Sequence, residues 1–243
     1  MKSGARRSRI ITLLITVLML ILTACGPKID MSLPPAEIVQ AASERMLTLE
    51  GFSFLLDSQG APAYLDYEEY YMFSQMEGDF VMPDRLRAEF RIVTPGLVSD
   101  VATICIGDQQ WETHWVTGEW VLLPPNLSFN PMLLFNPETG IQSIAGDLTD
   151  LQLTGLEELE TMPGVKLYTL TGRLDGEHLY DLSYGMMTDQ SMDAKLWIDP
   201  RTFDLYRIEM IEDTGADEEK VWVLEFWNIN ETAEIKPPET TGN

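Results

Sequence analysis

The sequence predicts an α+β fold, in which helices cover one face of an antiparallel sheet, and three observations predict it. Apolar and charged residues alternate from Arg85 to Ile92, which is the period of a half-buried strand. Several more short apolar runs follow, and turn sequences separate them, as is typical of antiparallel connections. Two other segments carry apolar residues at helical spacing, so helices are available to cover the apolar face of the sheet.

The first element of the folded part is predicted to be a helix from Ala36 to Leu49. Pro34-Pro35 precedes it, Glu37 lies in its first turn, and Gly51 follows its end. Its apolar residues recur at helical spacing and are Ile38, Ala41, Ala42, Met46 and Leu49.

Strands follow the helix, beginning with the alternation of Phe52, Phe54 and Leu56. The turn sequences Gly107-Asp108 and Thr117-Gly118 predict hairpins, and Asp199-Pro200-Arg201-Thr202 predicts a turn within a meander. The acidic residues 212–219 predict a solvated hairpin tip, because they lack the pattern of a calcium loop. The predicted strands after 85–92 are 101–106, 111–116, 120–123, 166–171, 194–198, 205–211 and 220–227.

A segment of different character, residues 124–150, interrupts the strands. It is rich in proline and contains the apolar cluster Met132-Leu133-Leu134-Phe135. Asn136-Pro137-Glu138 then predicts the start of a second helix, whose apolar residues are Ile141, Ile144, Ala145 and Leu148. A short helix is predicted within 178–184, and the tail 230–243 is expected to be extended or disordered.

The N-terminal 24 residues have the organisation of a bacterial secretion signal. Four basic residues precede an apolar run from Ile10 to Leu22, which is short for a membrane span. Leu22-Thr23-Ala24-Cys25 resembles the lipobox of bacterial prolipoproteins, and the resemblance makes Cys25 the predicted lipid-attachment site. An ordinary secretory peptide with an incidental cysteine is the alternative. We therefore expect a signal peptide at 1–24, a tether at 25–33, one domain at 34–229 and a tail at 230–243.

The charge of the chain is strongly negative. Sixteen Lys and Arg residues face 39 Asp and Glu residues, giving a net charge of −23, and loss of the four basic signal residues would deepen it to −27. Such a surface excludes nucleic acid as a partner, because phosphate contacts need clustered basic residues. It also disfavours adhesion to anionic lipid and indicates a solvated extracytoplasmic surface.

The residues suited to catalysis are few. Cys105 lies in an apolar run and is expected to be a buried thiol, while His114 and His178 have no metal-ligand spacing. No phosphate-binding loop, serine elbow or Cys-x-x-Cys pair is present in the sequence, and carboxylate pairs are expected by chance in so acidic a chain. We expect no enzyme activity, no cofactor and no metal site.

The order of elements resembles the LppX/LprG-type lipoproteins of mycobacteria and relatives, which have a LolA-like fold. The segments that carry the resemblance are Phe135-Asn136-Pro137-Glu138-Thr139-Gly140, Ala194-Lys195-Leu196-Trp197-Ile198-Asp199, the Trp120 strand, Phe226-Trp227 and Lys236-Pro237-Pro238. The resemblance implies a strongly curved antiparallel sheet, a half-barrel, wrapped over two or three helices with an apolar cavity between them that holds acyl chains.

The candidate cavity residues are apolar residues on the two helices, on the proline-rich loop and on strands expected to face them. They are Ile38, Met46, Phe54, Phe90, Leu134, Ile141, Ile144, Leu148 and Trp197. Plain core packing remains an alternative for each.

The resulting hypothesis is a lipid carrier at the outer face of the cell membrane, on the periplasmic side where an outer membrane exists. Its expected partners are the membrane, through acylated Cys25, and a lipid or lipoglycan, with a membrane transporter as a further candidate. An envelope interaction or sensor module with a filled core is the first alternative, and an extracellular enzyme is the second.

Overall fold

The computed structural model describes residues 29–66, 68–124, 130–141, 148–183, 185–213, 215 and 218–239. The chain divides into two units, Met1–Ser32 and Leu33–Asn243. In the first unit, Asp30 Oδ1 accepts hydrogen bonds from the amide and the hydroxyl of Ser32 at 2.9 and 2.7 Å. Among the described residues, no helix has both the length and the hydropathy needed to cross a bilayer.

The second unit contains a helix, a 3₁₀ helix, a second short helix and twelve strands within the described ranges. The helices are α1 (Pro35–Met46), the 3₁₀ helix (Pro131–Phe135) and α2 (Gly176–Leu182). The first seven strands are β1 (Gly51–Gly60), β2 (Ala63–Tyr64), β3 (Met72–Val81), β4 (Arg85–Thr94), β5 (Leu97–Ile106), β6 (Gln109–Thr113) and β7 (Trp120–Leu122). The remaining five are β8 (Thr149–Glu157), β9 (Leu167–Leu174), β10 (Met192–Ile198), β11 (Leu205–Glu212) and β12 (Lys220–Trp227).

All twelve strands belong to one antiparallel sheet. The order across it is β7-β6-β5-β4-β3-β1-β12-β11-β10-β9-β8, with β2 paired to β3 outside this path. Since the path begins at β7 and finishes at β8, the sheet is open rather than closed. The N-terminal strand β1 lies in the middle, between β3 and the C-terminal strand β12, so the sheet ties the two ends of the domain together.

The strand register gives the sheet two chemically different faces. Phe54 lies between Gly78 and Phe226, and this row defines the inner face. Leu55 lies between Glu77 and Glu225, on the outer face. The alternation predicted for β4 is confirmed, because its even-numbered residues from Leu86 to Phe90 are buried and its odd-numbered ones are exposed.

Phe135, the last residue of the 3₁₀ helix, packs on the middle of the inner face. The helix begins at Pro131, and Asn130 caps it by accepting a hydrogen bond from the Met132 amide at 3.0 Å. The Phe135 ring centroid lies 4.7 Å from that of Phe54, and 5.1, 5.1 and 6.5 Å from those of Phe52, Phe80 and Phe226. The apolar cluster 132–135 thus includes a residue that anchors the segment in the core.

Helix α1 buries Ile38, Ala42 and Met46 as its spacing predicts, but Ala41 is half-buried and the helix ends at Met46 rather than at Leu49. It packs near the β8 edge of the sheet. Its C-terminal Arg45 donates to Asp204 in the β10–β11 turn at 2.7 Å. Helix α2 confirms the short helix predicted in this region and is capped by Asp175, which accepts from the Glu177 amide at 3.1 Å. A second amphipathic helix is predicted to follow Asn136. Residues 142–147, which would form most of it, lie outside the described residues, and Ile141 is the predicted apolar position that is described before them.

The C-terminal segment crosses the outer face without regular secondary structure. Ile235 is buried against Ile104 and Trp111, and its carbonyl oxygen accepts from Arg85 Nη1 at 2.8 Å. Residues 231–239 contain no helix or strand, and Ile235 is the buried residue that packs this segment on the outer face.

Candidate functional site

An apolar groove lies on the inner face, at the end of the sheet formed by β4 to β7. Its volume is about 620 Å³. The register places Ile92 opposite Ser99, and Phe90 opposite Val101, so the groove continues the inner face beyond the buried core. Its apolar lining consists of Tyr71, Ile92, Leu97, Val101, Trp115, Val121 and Leu123.

Three connections position this lining. The β4–β5 hairpin turns at Pro95-Gly96, where Gly96 has φ +94°, and brings Leu97 back opposite Thr94. The β6–β7 connection carries Trp115, and its ends are joined by the His114 amide, which donates to the Glu119 carbonyl at 2.8 Å. The loop before β3 contributes Tyr71.

The polar lining of the groove is neutral or acidic. It comprises Thr94, Ser99, Glu112, Thr113 and His114. His114 Nδ1 accepts from the amides of Val116 and Thr117, both at 3.3 Å, so this side chain stabilises the β6–β7 turn. Glu112 accepts from Gln110 Nε2 at 3.0 Å. The groove therefore presents apolar contacts together with a few hydrogen-bonding groups, and its lining includes no Lys or Arg.

The structure brings some of the predicted cavity residues together. Phe54 contacts Phe135, the neighbour of Leu134, and Phe90 pairs with the groove residue Val101. Both Ile144 and Cys25 lie outside the described residues. Apart from Trp197, the remaining candidates are buried side chains with exposed fractions of 8% or less. They are Ile38, Met46, Phe54, Phe90, Leu134, Ile141 and Leu148.

Trp197 lies on the outer face, which corrects the expectation that it faces the helices. It pairs with Arg207, which pairs in turn with the outer-face residue Glu225. Its Nε1 donates to Glu157 at 3.1 Å, and its ring packs with Leu167 in a separate small cluster.

None of the predicted cavity residues belongs to the groove lining, so the sequence did not predict this site. Two signals were available: Leu97-Val98 follows a Pro-Gly turn, and Trp115-Val116 precedes the turn residues Thr117-Gly118. Bulky apolar residues beside hairpin tips have no core to enter, so they are candidates for a binding surface.

The outer face carries two further grooves, and their arginines are paired with carboxylates. In the first, of about 490 Å³, Arg87 donates to Asp79 and Arg91 donates to Asp100, each at 2.9 Å. The hydrogen bond to Asp100 raises the pKa of Arg91. The second, of about 500 Å³, contains Arg207, whose guanidinium bridges two glutamates, Glu225 at 2.7 Å and Glu209.

The described residues offer little for catalysis. In the described ranges, no group of three or more His, Cys, Asp or Glu residues is arranged to hold a metal ion. Burial raises the pKa of the Cys105 thiol to about 12, so the thiol stays protonated near neutral pH. A protonated, buried thiol is a poor nucleophile.

An open antiparallel sheet with an aromatic core and an apolar groove on the same face is an α+β architecture with space for an apolar ligand. The family model of the LppX_LprAFG lipoprotein matches residues 34–235. The chain belongs to this lipoprotein family, as its order of elements predicts. No curated protein sequence matches the chain.

Solved structures confirm the fold. LprF from Mycobacterium bovis is 14% identical, with 84% of this chain and 96% of that chain covered and a TM-score of 0.64. Mycobacterium tuberculosis lipoprotein LppX is 16% identical, with 83% and 98% covered and a TM-score of 0.58. The predicted α+β architecture, an antiparallel sheet with helices, is therefore confirmed.

Proposed function

We propose that this protein is a lipid-anchored carrier that binds the acyl chains of a lipid or glycolipid and moves it within the cell envelope. The observation that carries the proposal is the apolar groove of about 620 Å³ on the inner face. Small-molecule sites usually have volumes of about 300 to 1,000 Å³, so the groove is large enough for an acyl chain. Burial contributes about 25 cal/mol per Å² of apolar surface, which provides affinity without a reaction.

The lipoprotein family supports an extracytoplasmic location for this carrier. We place it at the outer face of the cell membrane, held there by acylated Cys25. We propose no catalytic role, because the described groove lining is mainly apolar and His114 is engaged with the amides of the β6–β7 turn.

Filling the groove is expected to abolish lipid binding. Ser99 is a small, half-buried residue in the groove wall, and Ser99→Trp would place an indole in the space proposed for the acyl chain. The matched control is Val98→Trp on the adjacent, outward-facing position, which is 58% exposed. Native mass spectrometry of residues 26–243, purified without detergent from a bacterial host, should show a lipid-sized mass on the parent protein and on Val98→Trp, but not on Ser99→Trp.

A parent protein that carries no lipid and ignores added lipids would contradict the carrier. The second candidate, a non-catalytic envelope interaction or sensor module, would then be preferred. It is favoured by the dense packing of Phe135 on Phe52, Phe54 and Phe80, which occupies the middle of the inner face.

The anchor is tested separately. Cys25→Ser removes the sulfur that would form the thioether with lipid, so the variant should incorporate no radiolabelled palmitate, whereas the parent chain is labelled. Cys105→Ser is the matched control, because this buried thiol should not be acylated. Equal labelling of the parent chain and Cys25→Ser would refute acylation at Cys25.

A further inference from the structure

Large apolar side chains are exposed around the mouth of the groove. Leu97 at the β4–β5 hairpin is 48% exposed, and Trp115 and Val116 in the β6–β7 connection are 55% and 68% exposed. Tyr70 and Tyr71, before β3, are 49% and 41% exposed. We call these five residues the groove rim.

The groove rim is one surface, although it comes from three connections. Tyr71, Leu97 and Trp115 all line the same groove. Pairing of Met72 with Val93 sets the start of β3 beside the β4–β5 hairpin. Tyr71, Leu97 and Trp115 therefore place the rim at the groove, at the end of the sheet away from the β5–β6 turn.

The composition of the rim matches a membrane interface. Trp and Tyr have apolar rings with a polar tip, and they are enriched where hydrocarbon meets headgroups. Branched aliphatic side chains such as Leu97 and Val116 bury favourably in the acyl boundary just below. An apolar surface of this kind around a groove is uncommon unless it is covered by a partner.

The charge around the rim selects the kind of membrane. From residue 92 to residue 165 the sequence contains no Lys or Arg. Asp66, Glu68 and Glu69 lie in the loop that carries Tyr70, and Glu119 lies in the connection that carries Trp115. Anionic headgroups would repel these carboxylates, and no basic residue in these loops would offset the repulsion.

We propose that the groove rim docks on a bilayer surface of zwitterionic or uncharged lipids, with the mouth of the groove facing the headgroups. This contact goes beyond the carrier function, because it requires only the exposed rim and holds whether or not the groove contains a lipid.

The test places a nitroxide on the full-length protein reconstituted in phosphatidylcholine vesicles. Val116→Cys puts the label on the rim, and Asp108→Cys puts it on the exposed β5–β6 turn, at the other end of β6. The five residues of β6 span about 17 Å, so the two labels report on opposite ends of this part of the sheet. The unsubstituted chain, treated with the same reagent, gives the background from Cys25 and from the buried Cys105.

Docking predicts that the label at 116 becomes accessible to oxygen and shielded from an aqueous nickel complex, while the label at 108 stays accessible to nickel. Replacing half of the lipid with phosphatidylglycerol should shift the label at 116 back towards water, and high salt should reverse that shift by screening. A label at 116 that is as accessible to nickel as the label at 108 in phosphatidylcholine overturns the proposal. The groove rim would then be interpreted as a binding surface for a protein partner. Equal shielding in both vesicle types at low salt overturns the lipid selectivity.

Discussion

Phe135→Ala is expected to lower the free energy of unfolding by about 3 to 5 kcal/mol, the usual cost of truncating a fully buried phenylalanine. The Phe135 side chain is 1% exposed and lies against four phenylalanine rings on β1, β3 and β12. Alanine would leave a cavity at the centre of the inner face, because these strands are held by the sheet and cannot collapse into it. Urea denaturation followed by tryptophan fluorescence measures the loss.

Leu133→Ala is the matched control for Phe135. Leu133 lies in the same 3₁₀ helix but is half-buried, so its truncation should cost about 1 kcal/mol through lost apolar burial. If both substitutions cost the same, the aromatic cluster is not the anchor of the 3₁₀ helix on the sheet, and the segment contributes only its helical conformation.

Strand β4 is predicted from the sequence because its alternation is uninterrupted from Leu86 to Phe90. Leu86, Ala88 and Phe90 alternate with charged residues, and the register of β4 with β5 is regular along its length. In such a strand the two-residue period fixes which side chains enter the core, so the pattern of residues is sufficient.

The two long strands that the sequence does not predict, β3 and β8, both contain register shifts. In β3 the shift lies between Phe73 and Gln75, so Phe73, Met76 and Phe80 reach one face without an even spacing. Gly78 obscures the pattern further. A Cβ at Gly78 would lie 2.3 Å from the Arg87 carbonyl oxygen, so the close approach of β4 requires glycine where an apolar residue would have continued the alternation.

Trp197 shows how the pattern can decide a site residue. In β10, Met192, Ala194 and Leu196 alternate with Asp193 and Lys195, and Trp197 follows in the phase of the charged residues. Parity therefore places the indole on the outer face, although its size alone favours the core. The groove could not be predicted in the same way, because it depends on where three separate connections meet.

Glu212 is a buried carboxylate that joins the sheet to the segment after α2. Its side chain is 4% exposed, and Oε1 accepts from Trp222 Nε1 at 2.6 Å and from the Thr188 amide at 3.1 Å. Lys220 Nζ lies 3.5 Å from Oε2, and its side chain is 13% exposed. The Glu212 carboxylate thus accepts hydrogen bonds from the Trp222 indole and the Thr188 amide and pairs with the Lys220 ammonium, in an environment almost excluded from solvent.

Glu212→Leu is expected to lower the free energy of unfolding by about 3 to 5 kcal/mol, because it leaves a buried charge and two buried donors without an acceptor. Glu212→Gln keeps an acceptor for Trp222 but loses the charge. Its free energy of unfolding should therefore lie between those of the parent protein and of Glu212→Leu. The matched control is Glu209→Gln on the outer face of β11, where Arg207 keeps Glu225 as a partner, and its cost should stay below about 1 kcal/mol. Urea denaturation of the three variants measures this order. A cost for Glu212→Leu no larger than for Glu209→Gln would show that water reaches Lys220 and Trp222, and that the carboxylate does not hold the segment after α2 on the sheet.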